Sequence, residues 1–121
     1  MATMKALPQL VALHYLFTDK GDKTVAHCLD LDLVVVGKNR EIAETRLNTV
    51  VRAQIAVAYR TGNPDLLFFH APLEYWDAME TAENLPTTSL EIETPPMVIP
   101  VRQKAMLKMP VFRAALAAVA A

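Results

Sequence analysis

The chain has 121 residues, 53% of them hydrophobic, and sets twelve Lys and Arg against thirteen Asp and Glu for a net charge of −1 and a pI near 6.3. That length suits one domain and that apolar content gives it a real core. The basic residues are scattered among the acids, which disfavours nucleic acid as a direct partner because phosphate binding needs a basic surface, and the longest wholly apolar run, residues 114–121, is eight residues where a membrane span needs roughly 20.

Residues 1–10 lack an apolar signal-like core and are interrupted by Pro8, so no secretory leader is expected. The single Cys28 has no partner for an internal disulfide. Its place in an apolar run reads as a buried thiol in a reducing compartment, which makes the cytoplasm the expected location.

Residues 10–17 are apolar on both alternating faces, with Val11, Leu13, Tyr15 and Phe17 on one and Leu10, Ala12, His14 and Leu16 on the other. Such a run predicts a central strand covered on both sides, or on one side by a second subunit. Asp19, Lys20, Gly21 and Asp22 supply turn chemistry that folds it back onto a strand at residues 25–29. A four-residue loop made of those residues pairs Thr18 with Lys23 and sets His14 opposite His27. A metal site built from His14 and His27 would need a third ligand, for which Asp30 or His70 is the candidate, but the spacing matches no metal signature. The expected state is two histidines packed or partly exposed on one sheet face, with no metal and no cofactor.

Leu29, Asp30, Leu31 and Asp32 alternate apolar and acidic at a bend between strands. Two such carboxylates can hold a divalent cation or share acid and base duties; the plainer reading is a pair of solvent-facing acids. Residues 33–36 form a third strand, ended by Gly37. Asn39 then sits at an N-cap position, and Glu41 and Glu44 place negative charge at the start of a helix beginning near Arg40.

Along that helix Ala43, Leu47, Val50, Val51, Val57 and Ala58 recur on a core face, against Glu41, Thr45, Asn48 and Arg52 on a wet one. Gln54 lies within the apolar stripe, either bonded to backbone or reaching across a subunit interface. Gly62 and Pro64 close the helix.

Leu66, Leu67, Phe68 and Phe69 make an apolar plug. Pro72 opens a second helix running to Ala82, with Leu73, Trp76 and Met79 on one side and Glu74, Asp77 and Glu80 on another. Trp76 reads as a core anchor or, if partly exposed beside Phe68, Phe69 and Tyr75, as a partner anchor. Residues 85–88 read as a linker, residues 90–93 as a half-exposed strand broken by Pro95 and Pro96, and residues 97–101 as an edge strand. From Lys108 the alanine-rich end reads as a marginal helix or disordered tail that orders on a partner. The expected organisation is one domain over residues 8–107 with a tail at 108–121. Its fold class is α+β: a small antiparallel sheet in the order β-β-β-α-(α)-β with the long helix packed on one face.

The order of strand, hairpin, strand, glycine and capped helix, with the steps Ala26-His27-Cys28, Asp30-Leu31-Asp32, Gly37 and Glu41-Ile42-Ala43, resembles the HicB-like antitoxin family over residues 10–60. The resemblance implies a small, truncated ribonuclease-H-like module without catalysis. It also implies self-association into dimers or larger assemblies, and sequestration of a small ribonuclease toxin. The expected function is therefore a non-catalytic protein-interaction module, with Asp30, Asp32, Gln54 and Trp76 as candidate partner-facing residues.

Two features depart from the family. Leu29 and Asp32 stand where its bend usually carries prolines. The residues after Pro100 are too few and too alanine-rich for a ribbon-helix-helix or helix-turn-helix segment, so direct DNA binding has no support. Two other readings stand beside the module: an orphan homo-oligomeric scaffold, and a metal-dependent hydrolase using Asp30, Asp32 and a histidine.

Overall fold

A computed structural model describes residues 12–67, 69–94 and 105–116. The three short apolar runs form β1 (Leu13–Asp19), β2 (Thr24–Cys28) and β3 (Leu33–Gly37), followed by the long helix α1 (Arg40–Thr61) and a 3-10 turn at Pro64–Leu67. A second helix α2 (Leu73–Thr81) leads into two long strands, β4 (Glu83–Thr94) and β5 (Ala105–Leu116). The class is α+β, as expected. The sheet order is β3-β2-β1-β5-β4, and because β5 runs parallel to β1 the sheet is mixed rather than purely antiparallel. No described helix is long and apolar enough to cross a membrane.

The two-sided apolar pattern of β1 places it at the centre, between β2 and β5. Leu13, Tyr15 and Phe17, with Ala26 and Cys28 from β2, face α1 and are buried against its Ala43, Leu47, Val51, Ile55 and Ala58. Both helix ends follow from local chemistry. The Asn39 side chain accepts the Ile42 N–H at 2.9 Å, and Gly62 takes a left-handed φ of 63° from which its N–H returns to the last carbonyls. Val50, expected in the stripe, is exposed because it lies a step round the helix from the 43-47-51-55-58 line. Asn48, expected on the wet side, turns partly inward and accepts the Tyr15 hydroxyl at 2.8 Å.

The β1–β2 hairpin pairs Leu16 with His27 and Asp19 with Thr24, so its register differs by two residues from the expected pairing of Thr18 with Lys23. Asp19 stays in the strand, where its carboxylate accepts the Thr24 hydroxyl at 2.9 Å, and the Lys20 N–H to Lys23 carbonyl bond at 2.8 Å closes the turn one residue later. A shift of two preserves the face. His14 and His27 therefore share one side of the sheet, but diagonally and not opposite each other.

The expected tail is also corrected. Residues 105–116 form β5 inside the sheet, so a boundary at 107/108 would cut a strand. Alanine's helix preference is worth only tenths of a kcal/mol per residue, while β5 hydrogen-bonds on both sides and buries Met109, Val111, Ala114 and Ala115. The small side chains of Ala114 and Ala115 fit beneath elements on opposite faces. Residues 85–88, expected as a linker, belong to β4, with a register irregularity between Leu85 and Thr88. The edge strand expected at 97–101 and residues 117–121 lie outside the described residues.

Candidate functional site

The sheet face away from α1 is assembled by alternation. It takes His14, Leu16 and Thr18 from β1, and Phe112, Ala114 and Leu116 beside them on β5. Val25 and His27 come from β2, with Val34 and Val36 opposite them on β3. The helix α2 covers only part of this face. Leu16, Leu29, Ala71 and Ala114 are buried there against Trp76, Ala78, Met79 and Ala82, but α2 has no fully buried residue of its own and Leu73, expected on its packed side, is exposed. Val34 and Val36 remain 54% and 43% exposed, and Phe112 44%. Between α2 and the β1–β3 strands opens a cleft of about 560 Å³ whose lining includes Leu16, Val25, His27, Asp32, Val34 and Tyr75.

Two histidine–aspartate pairs stand on this face. Asp30 is not the solvent-facing acid expected from the sequence: it is only 6% exposed. One of its oxygens accepts the His14 backbone N–H at 2.5 Å and the other meets His14 Nδ1 at 3.1 Å. The bend that delivers it is anchored on both sides, with the Leu29 N–H donating to the His14 carbonyl and the Ala71 N–H to the Leu29 carbonyl. Asp32 holds His27 Nε2 at 2.7 Å. It does so with a φ of 50°, the one positive φ at a non-glycine position among the described residues, a conformation that aspartate tolerates better than most side chains.

Each imidazole is also met by an aromatic ring from α2: Trp76 lies edge-on to His14 at 5.2 Å and Tyr75 edge-on to His27 at 4.8 Å. Phe112 stacks on the first histidine at 5.5 Å. The pairs thus support a short helix that buries little by itself.

Chemically, the arrangement orients each histidine against an aspartate. Among the described residues no three His, Cys, Asp or Glu side chains are placed to share an ion. Asp30 is engaged by His14, and His70 lies beside Trp76 at 6.2 Å. Gln54 donates to the Leu66 carbonyl at 2.7 Å, the backbone-bonded alternative of the two. Trp76 Nε1 donates to the Ala71 carbonyl at 3.2 Å. Of the candidate partner-facing residues, Asp30 is buried, Gln54 and Trp76 are half-buried and internally bonded, and Asp32 is exposed.

Sequence reasoning set Tyr75 beside Trp76 but not against His27, missed Phe112 as a member of this face, and missed the Arg113–Glu44 contact at 2.8 Å that ties β5 to α1. The alternation that placed His14 with Leu16 also places Phe112, once β5 is recognised as a strand.

Cys28 is buried on the α1 side, and burial, with the Asp30 charge adding to it, pushes its thiol up to about 12 from an ordinary 9.0. It is a protonated core group, not a nucleophile. The unfolded chain loses that proton near pH 9 while the folded chain keeps it, so stability is full below pH 9 and falls as pH rises toward 12. The slope for one group approaches about 1.4 kcal/mol per pH unit. Tyr15, raised by burial, adds to the fall above pH 10. Urea midpoints should therefore drop between pH 8.5 and 10, and Cys28→Ala should flatten that drop; an equal slope in both proteins would refute the assignment.

Compared with protein-family models, curated proteins and solved structures, the chain gives no match.

Proposed function

We propose that the chain is a non-catalytic protein-interaction module of the HicB-like kind, working through the half-covered sheet face. One observation carries this reading: Val34 and Val36 stand exposed beside a cleft that α2 leaves open, where a face built for solvent would carry polar side chains. The resemblance rests on the opening β-β-β-α run; α2, β4 and β5 lie beyond the residues it covers. A small ribonuclease toxin is the partner class that resemblance names. Titrating the purified chain into a toxin-like ribonuclease encoded beside it should suppress RNA cleavage at a fixed stoichiometry; cleavage unaffected by excess chain would overturn the toxin assignment.

Self-association is a second use of the same module, favoured by β3. This edge strand of the described sheet carries no charge and no proline over Leu33–Gly37, and although Arg46 of α1 donates to its Val36 carbonyl at 2.7 Å, the strand itself lacks the usual guards against pairing with another strand. Native mass measurement should give a multiple of 13.4 kDa, and Val34→Lys, which places a charge on that edge, should return it to a single chain. A wild-type protein that stays monomeric at micromolar concentration would remove this reading.

A further inference from the structure

We infer that the cleft beneath α2 docks a positively charged segment of a partner protein that inserts an apolar side chain, an inference that rests on the interaction-module reading. The near-neutral total charge hides a strong division. Residues 61–100 carry seven acids, Asp65, Glu74, Asp77, Glu80, Glu83, Glu91 and Glu93, and no Lys or Arg; all twelve basic residues lie elsewhere.

The structure places part of this acidic stretch at the cleft. Glu74 lines it; Asp77 and Glu80 follow on the same short helix, exposed but outside the lining. Across the opening stands the Asp32 carboxylate, its side chain 42% exposed. Among the described lining residues Lys20 is the one Lys or Arg, and His27 is held by Asp32. The floor is apolar, formed by Leu16, Val25, Val34, Ala78 and Leu116, and about 560 Å³ is open above it, within the size range of pockets that enclose a ligand-sized group.

Charge decides the class of occupant. An acidic rim repels nucleic acid and anionic lipid alike, since both present phosphate. It also opposes a second copy docked face to face, because a two-fold contact sets like rim against like rim. What remains complementary is a cationic polypeptide: an apolar side chain enters between Val34 and Tyr75, and flanking Lys or Arg meets Glu74 and Asp32, the two acids among the described lining residues. Tyr75 at the same rim presents a ring face suited to a cation.

The test uses fluorescently labelled dodecapeptides of alternating Leu and Lys, with Ser–Lys and Leu–Glu peptides as controls, titrated with the full chain and read by anisotropy. The Leu–Lys peptide should bind, with affinity falling at least tenfold between 50 and 300 mM NaCl. Glu74→Lys with Asp77→Lys, the lining acid and an exposed acid on the same helix, should weaken it at least tenfold, whereas Asp65→Lys with Glu91→Lys, the same charge change at exposed positions away from α2, should weaken it less than threefold. Circular dichroism and urea midpoints establish that both double variants are folded.

Equal binding of the Ser–Lys peptide, or equal losses in the two double variants, would reduce the effect to general attraction and overturn the site. So would peptide binding that dissociates an assembly of the chain, since the cleft would then be occupied by a second copy. Native mass reads self-association separately, so loss of the oligomer reading leaves the peptide result standing.

Discussion

Replacing Gly37 with alanine should destabilise the fold by about 3 kcal/mol, the upper end of what overpacking one methyl into a protein interior costs. A Cβ at this position would lie 2.5 Å from the Ala43 nitrogen, 2.8 Å from its Cα and 3.1 Å from its Cβ. Two of those three atoms are backbone, so no rotamer change relieves the contact. Ala43 cannot easily withdraw either: its N–H donates to the Asn39 carbonyl at 3.0 Å, opening the hydrogen-bond ladder of α1, and its side chain is buried in the core. Either the first turn of α1 lifts or the end of β3 bends, and both open the α1 side of the sheet.

The useful comparison is Gly62→Ala. There the backbone is left-handed at φ 63° but nothing lies within 4 Å of the new methyl, so the cost is conformational and about 1 kcal/mol. Urea unfolding of the two variants should rank Gly37→Ala well above Gly62→Ala. A Gly37→Ala loss below that of Gly62→Ala would mean that α1 is not seated directly on β3.

The same contrast separates what was legible in the sequence from what was not. The helix α1 is written in neighbours: Asn39 caps it three residues from the amide it binds, Gly62 ends it, and the apolar stripe repeats within its own length, so its start at Arg40 follows without tertiary information. The two-sided pattern of β1 similarly announces a central strand. Strand β5 carries no such local statement. Its alanines favour helix in isolation, and only the hydrogen bonds offered by the preceding strand β4 and by β1, far earlier in the chain, make the extended form win.

The candidate site suffers twice from this non-locality. The hairpin turn closes at Lys20–Lys23 because Asp19 is held in the strand by Thr24, a side-chain bond that turn propensities do not contain. That shift puts Leu16, not His14, across from His27, and with it goes the paired-histidine geometry from which a metal site was conceived. The acids at 30 and 32 look equivalent in sequence. One is carried inward under His14, while the other swings out through a left-handed backbone to reach His27, and the difference is visible only once the bend is anchored at Leu29.

Removing the buried member of that pair is the second large effect. Asp30→Ala should cost about 2–3 kcal/mol, because it leaves the His14 backbone N–H without its acceptor and takes the one carboxylate from an imidazole that is itself about a third exposed. Asp30→Asn keeps one acceptor oxygen and should cost about 1–2 kcal/mol. Asp32→Ala should cost less than about 1 kcal/mol, since its carboxylate is far more exposed and solvent offsets much of the pair. A second readout ties the loss to α2. Trp76 is the only tryptophan of the chain and rests edge-on against His14, so once Asp30 no longer fixes that ring, its emission should shift to the red in Asp30→Ala under conditions where the protein remains folded. Equal losses for Asp30→Ala and Asp32→Ala, or a Trp76 emission indifferent to Asp30, would show that α2 is held by its apolar contacts alone; the cleft it borders would then owe its shape to Ala71, Ala78 and Leu116 and not to the histidines.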